Sequence, residues 1–188
     1  SFAAPLGVGL ESNGEYMDIE LNTVTSSKDM INRLNNASVP GIEVISMKSL
    51  PEGAGNAMAS VAAAEYTIRF REGRAPVFDY SGHISDFLNQ DNIFITKETK
   101  KNTLEVDLKP GIYDFHVNED GSLHLFVDAS SSGNIKPAAV IEAYLAMYGE
   151  TLQENALFIT REDTYTNIAK PGKKPRFVPL DDIGSTIE

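Results

Sequence analysis

Three histidines, a serine-rich loop and two runs of lysine are the residues of this chain best suited to binding or catalysis. His116 and His124 flank Asn118-Glu119-Asp120-Gly121, so a hairpin there would bring two imidazoles together; with Asp128 they make a candidate transition-metal set. No His-x-His or His-Glu-x-x-His spacing accompanies them, and the sequence alone assigns no metal ligand. His83, beside Gly82, reads as a surface residue. The loop Ser130-Ser131-Ser132-Gly133-Asn134 precedes a helical stretch, where free N–H groups and the helix dipole favour an anion. Ser131, Ser132, Gly133, Asn134 and Lys136, joined by Arg161 from a later strand, form the candidate anion or ligand site. A loop with a helix cap competes, because Ser and Asn favour caps in any case, and the spacing is not that of a P-loop. Lys97, Lys100, Lys101 and Lys109 are the candidate contact for RNA or a partner, with Phe94, Tyr113 and Phe115 able to stack on bases if they face outward. Lysines that protect an edge strand, and rings that fill a core, are the competing reading. No catalytic residue is assigned. Pairs such as Asp18/Glu20, Glu119/Asp120 and Asp181/Asp182 have no spacing that puts two carboxylates in one cleft.

Composition narrows what these residues can serve. A hydrophobic fraction of 41% with 23% charged residues can build a core in one domain, or in two small ones. No apolar run approaches the roughly 18–20 residues that span a bilayer, so no membrane role is expected. The absence of cysteine excludes disulfides, thiolate nucleophiles and Cys-bound clusters, and fits a cytoplasmic setting. A net charge of −11 repels polyphosphate and weighs against unaided nucleic-acid binding. Ser1-Phe2-Ala3-Ala4-Pro5 has neither a basic n-region nor a long apolar core, so it reads as no signal peptide but as the start of a processed piece.

The elements that must position these groups follow from periodicity. Met17, Ile19 and Leu21 alternate with acids as in a strand, Ser26 and Asp29 open a helix carrying Met30, Ile31, Leu34 and Ala37, and Ile42–Ile45 returns as a strand. Pro51–Gly55 breaks the chain; Ala57–Ala64 reads equally as helical turn or extended chain. Tyr66, Ile68 and Phe70 then alternate, Val77–Leu88 carries a helical face, and Ile93–Thr99 is expected to return as a strand. Tyr113–Val117 and Leu123–Val127 form a hairpin, and Pro137 opens a helix whose stripe is Val140, Ile141, Tyr144, Leu145 and Tyr148. Leu157–Asp163 closes this third unit. Ile93–Thr99 (IFITKET) and Leu157–Asp163 (LFITRED) are nearly the same heptamer, which points to duplicated strand–helix–strand units, although shared strand preferences would also produce it.

The expected fold is therefore α+β: a ferredoxin-like βαββαβ module over residues 57–166, and a half-module of the same kind over 1–50. Its sheets would be antiparallel or mixed, with helices on one face. Residues 167–188 read as a mobile tail unless Phe177, Val178 and Leu180 dock on the sheet. An open sheet edge on the half-module would invite pairing with a second copy.

Several stretches carry a resemblance. Ser1–Leu6, Gly7–Ser12 and Gly14–Leu21, then Ala63–Tyr66, Lys97–Lys101 with Glu105–Pro110, Gly133–Pro137 and Thr160–Asp163, resemble the radical-SAM-linked protein family over roughly residues 1–165. That family is a bacterial domain of unknown function, fused to or encoded beside radical-SAM proteins with a cobalamin-binding-like region. The resemblance implies an accessory, non-catalytic domain binding a protein or RNA partner, with SAM and the iron–sulfur cluster in the partner and no cofactor in this chain. An RNase E/G-type ribonuclease often lies nearby in such gene clusters, which implies an RNA-related setting. The family pattern normally continues upstream through a strand, a basic helix and a loop that this sequence lacks, and the resemblance transfers no catalytic residue. A small-molecule or enzyme site between the two modules is the alternative.

Overall fold

A computed structural model describes residues 1–98 and 103–188. In chain order the elements are β1 (Glu11–Ser12), α1 (Ser27–Ala37), β2 (Lys48–Ser49), α2 (Ala57–Ser60), β3 (Ala63–Phe70), α3 (Ile84–Leu88), β4 (Phe94–Glu98), β5 (Thr103–Asp107), β6 (Ile112–Val117), β7 (Leu123–Asp128), α4 (Pro137–Met147), β8 (Leu157–Asn167), β9 (Phe177–Pro179) and β10 (Ser185–Thr186). The main sheet runs β1-β8-β3-β7-β6, with β9 also on β8. Reading β3-α3-β6-β7-α4-β8 along the chain gives βαββαβ, and the neighbours β8-β3-β7-β6 are all antiparallel. This is the ferredoxin-like arrangement within an α+β fold.

Alternation decides the faces. Leu123, Leu125 and Val127 of β7 are buried beneath α3 and α4, while His124, Phe126 and Asp128 point to the opposite face. Pro137 supplies the fixed φ that starts α4, and its buried stripe is Val140, Ile141, Tyr144 and Leu145. Gly149, at φ 74°, ends the helix: its N–H bonds Ala146 O at 3.1 Å and Glu150 N–H bonds Leu145 O at 3.0 Å, a Schellman pair. Tyr144 also donates its hydroxyl to the Tyr80 carbonyl at 2.6 Å, holding the loop before α3. Tyr144→Phe keeps the ring but strands that carbonyl, so urea unfolding should show a loss of about 1 kcal/mol with an unchanged m-value.

Three expectations need correction. Ile93–Thr99 is not the return strand of the second unit. Over the described residues, β4 pairs only with β5, making a separate two-stranded hairpin, and β6 takes the return position. Buried Ile93 and Leu108 anchor the base of that hairpin, joined by Leu108 N–H to Ile93 O at 2.8 Å. Phe94 is 55% exposed, whereas Phe158 sits within the main sheet with Arg71 5.6 Å above its ring. The repeated heptamers thus occupy unrelated places, and their likeness reflects strand preference rather than duplicated structure.

The N-terminal half-module is also absent as a strand–helix–strand unit. Its helix exists: Ser26 caps α1 by accepting Asp29 N–H at 3.2 Å. Among the described residues, however, 15–21 contribute only a bridge from Met17 to Phe2, and Ile42–Ile45 forms no strand. Ile19 and Leu21, each 39% exposed, alternate but join no strand pairing among the described residues.

The segment expected as a tail docks instead. β9 pairs with Tyr165–Asn167 of β8, Leu180 is buried, and β10 pairs antiparallel with β2. Asp181 accepts from Lys48 Nζ at 2.6 Å and from Ser46 Oγ at 2.5 Å. Ser27 N–H bonds Ile187 O and Ile187 N–H bonds Ser27 Oγ, both at 2.9 Å. The end of the chain therefore clasps the start of α1. Among the described residues no helix is long and apolar enough to cross a membrane.

Candidate functional site

The serine loop forms, but its donors turn inward. Asp128 Oδ1 accepts Ser130 N–H at 2.7 Å, Ser130 Oγ accepts Gly133 N–H at 3.1 Å, and Asn134 N–H reaches Ser130 O at 2.9 Å. A Cβ at residue 133 would overlap the Asp128 carboxylate, which explains glycine there. A carboxylate thus lies under the loop where an anion would have to sit. Ser131, Ser132, Asn134 and Lys136 are exposed around it. Arg161 is engaged elsewhere. Only 5% exposed, its guanidinium binds the Glu15 carboxylate, through Nε at 2.9 Å and again through Nη2, and donates from Nη2 to the Ala4 carbonyl at 2.6 Å. It fastens residues 1–18 to β8. Asn13 N–H, bonded to Arg161 O at 2.8 Å, adds a backbone tie at the same place.

The basic cluster disperses. Lys97 is exposed on β4, and Lys109 Nζ donates to the Leu88 carbonyl, closing the C-terminal end of α3. Lys100 and Lys101 lie outside the described residues. Phe115 is buried against Phe87 and Tyr144, and Tyr113 packs tilted between Phe126 and Phe177, so neither stands free to stack on a base.

The sheet face opposite the helices does gather chemistry. The β6–β7 register puts His116 directly opposite His124, with rings stacked at 4.4 Å. Asp114, two residues before His116 on the same face, brings Oδ2 to 3.1 Å from His116 Nδ1 and 3.6 Å from His124 Nε2. Asp128 does not join them, since four residues of strand separate it from His124 by about 13 Å. Glu65 Oε1, on β3, lies 3.4 Å from His124 Nδ1, while its Oε2 accepts the Tyr165 hydroxyl at 2.5 Å. Burial, and then the Glu65 bond, push the Tyr165 phenol well above its usual range, so it remains a donor. Asp114-x-His116 is a period-two spacing, and that is the signal which would have identified Asp114 as the third member.

A second feature is apolar. Helix α1 and the stretch before it enclose an open groove of about 280 Å³ lined by Ile19, Leu21, Met30, Leu34 and Met47, with Thr23 and Arg33 at its polar side. Asn35 ties the chain after α1 back to the helix by donating to Val44 O at 2.9 Å and accepting Val44 N–H at 2.6 Å. Val24, Ile42 and Ile45, from the segments flanking α1, are also exposed.

A family model described as an uncharacterised protein conserved in bacteria (DUF2344) matches residues 1–137, a span that includes this groove and the β6–β7 hairpin. No curated protein and no solved structure matches the chain.

Proposed function

The chain belongs to the uncharacterised bacterial family DUF2344, and from that premise we propose that it is a non-catalytic accessory domain which docks a protein partner through the groove beside α1. The observation that carries this reading is the apolar lining of that groove by Ile19, Leu21, Met30, Leu34 and Met47, open to solvent. Contiguous apolar surface of this kind, edged by polar groups such as Thr23 and Arg33, marks sites where another protein sits. The resemblance of residues 1–165 to radical-SAM-linked proteins supports a radical-SAM polypeptide as the occupant. Without cysteine, this chain would leave the cluster and the SAM to that partner. RNA fits less well: the aromatic sheet face carries Glu65, Asp114 and Asp128 among its rings, and the net charge is −11.

Titration calorimetry of the chain against the radical-SAM polypeptide of the same gene cluster tests this. Ile19→Asp and Leu21→Asp change half-exposed positions, so circular dichroism should be unaltered. Binding should weaken about tenfold or more in each variant. Wild-type protein that does not bind, or variants that bind as tightly as wild type, would refute the reading.

A further inference from the structure

We propose that Asp114, His116 and His124 bind a divalent transition cation of the zinc class on the open face of the sheet, with Glu65 positioning His124. The site is independent of the apolar groove. Each of the three residues offers one ligand atom, and these atoms all lie within 4.8 Å of one another. Zinc bound tetrahedrally at 2.0–2.1 Å requires ligand atoms about 3.3 Å apart. The Asp114 oxygen sits 3.1 Å from one imidazole nitrogen and 3.6 Å from the other, on either side of that value.

The donor set selects the metal. Two imidazoles and one carboxylate suit zinc, nickel, cobalt or copper, whereas calcium and magnesium take oxygen shells. The outer partners fit as well. A metal-bound histidine usually gives its second ring nitrogen to a carboxylate, which fixes the tautomer and the ring orientation. His124 presents Nε2 toward Asp114 and Nδ1 toward Glu65, and Glu65 is itself held by the Tyr165 hydroxyl. Asp114 and His116 are half exposed, so a cation can enter from solvent and keep a water in its fourth position. The strands supply rigidity: His116 and His124 are cross-strand partners in the β6–β7 hairpin, and β3 brings Glu65 from the next position in the sheet.

Calorimetric titration of the full chain with zinc chloride, and visible absorption with cobalt chloride, tests the assignment. One equivalent of zinc should bind, and cobalt should show the d–d bands of a low-symmetry site. The double variant His116→Ala/His124→Ala should lose both signals, whereas His83→Ala, which removes the remaining histidine, should keep them. Glu65→Gln should bind zinc about tenfold more weakly and shift the cobalt bands. Failure of the wild-type chain to bind an equivalent, or retention of binding by the folded double variant, overturns the site. An unchanged affinity and spectrum in Glu65→Gln overturns its positioning role. Circular dichroism on every variant separates lost ligands from lost fold.

Discussion

Arg161→Ala should destabilise the chain by about 3 kcal/mol and free its first eighteen residues from the sheet. Removing one member of a buried ion pair costs about 3–5 kcal/mol, because the other charge is left without compensation. The lower end applies because the Glu15 side chain is 30% exposed and water can screen it once the guanidinium has gone. The Ala4 carbonyl loses its donor as well, and the short parallel pairing of β1 with Thr160 and Arg161 loses its anchor. For a chain of this length the melting temperature should fall by about 6–12 °C. Limited proteolysis should show earlier cleavage between residues 1 and 18, while β3 to β8 stay protected. Replacing both partners, Arg161→Met with Glu15→Leu, should return stability to within about 1 kcal/mol of wild type, since an apolar pair carries no desolvation cost. A single variant as stable as wild type would show that this contact does not hold the N-terminal segment.

Phe87→Ala should cost about 3–5 kcal/mol, the range for deleting a large ring from a packed core. Phe87 is 1% exposed and meets Tyr144 at 5.1 Å and Phe115 at 6.1 Å between ring centres. Its effect should be local as well as global. Helix α3 has only five residues, too few to persist without tertiary contacts. With the ring gone, Ile84 and the partly buried Leu88 are left to keep α3 on the core, and the Lys109 bond to Leu88 O loses support beneath it. Hydrogen exchange should therefore quicken at amides 84–90 before the amides of β3, β7 and β8 respond. Uniform loss of protection across the domain would instead mean that α3 and the sheet unfold as one unit.

What the sequence disclosed follows from where each signal is local. Helix α4 was readable because its start, stripe and stop lie within thirteen residues: Pro137, the Val140–Leu145 face and Gly149. The β6–β7 hairpin was readable because Asn118–Gly121 joins two alternating runs, and once that turn is set, His116 must face His124. Pairing between distant strands carries no such mark. Ile93–Thr99 has the composition of a sheet strand, but alternation shows only that a strand exists and not which neighbour it takes. It became one arm of a side hairpin. Residues 15–21 alternate just as well and found almost no strand to pair with. Arg161 had a readable clue: Leu157, Ile159 and Arg161 share one face of β8, so a charge among buried positions required an acidic partner. That the acid would be Glu15, 146 residues earlier, is a tertiary fact. The serine loop failed as an anion cradle for a similar reason, since Asp128 lies outside the loop in sequence and beneath it in space.

The clasp between Ser27 and Ile187 sets an order of events during synthesis. These residues are 160 apart, so at about 5–20 residues per second a ribosome adds the second about 8–32 s after the first. During that interval β3, β6 and β7 are made and can begin to pair, while α1 has neither Asp181 nor Ile187 to hold it. Helix α1 is thus fastened late, and its groove is formed before residues 181 and 187 exist to fix the start of the helix.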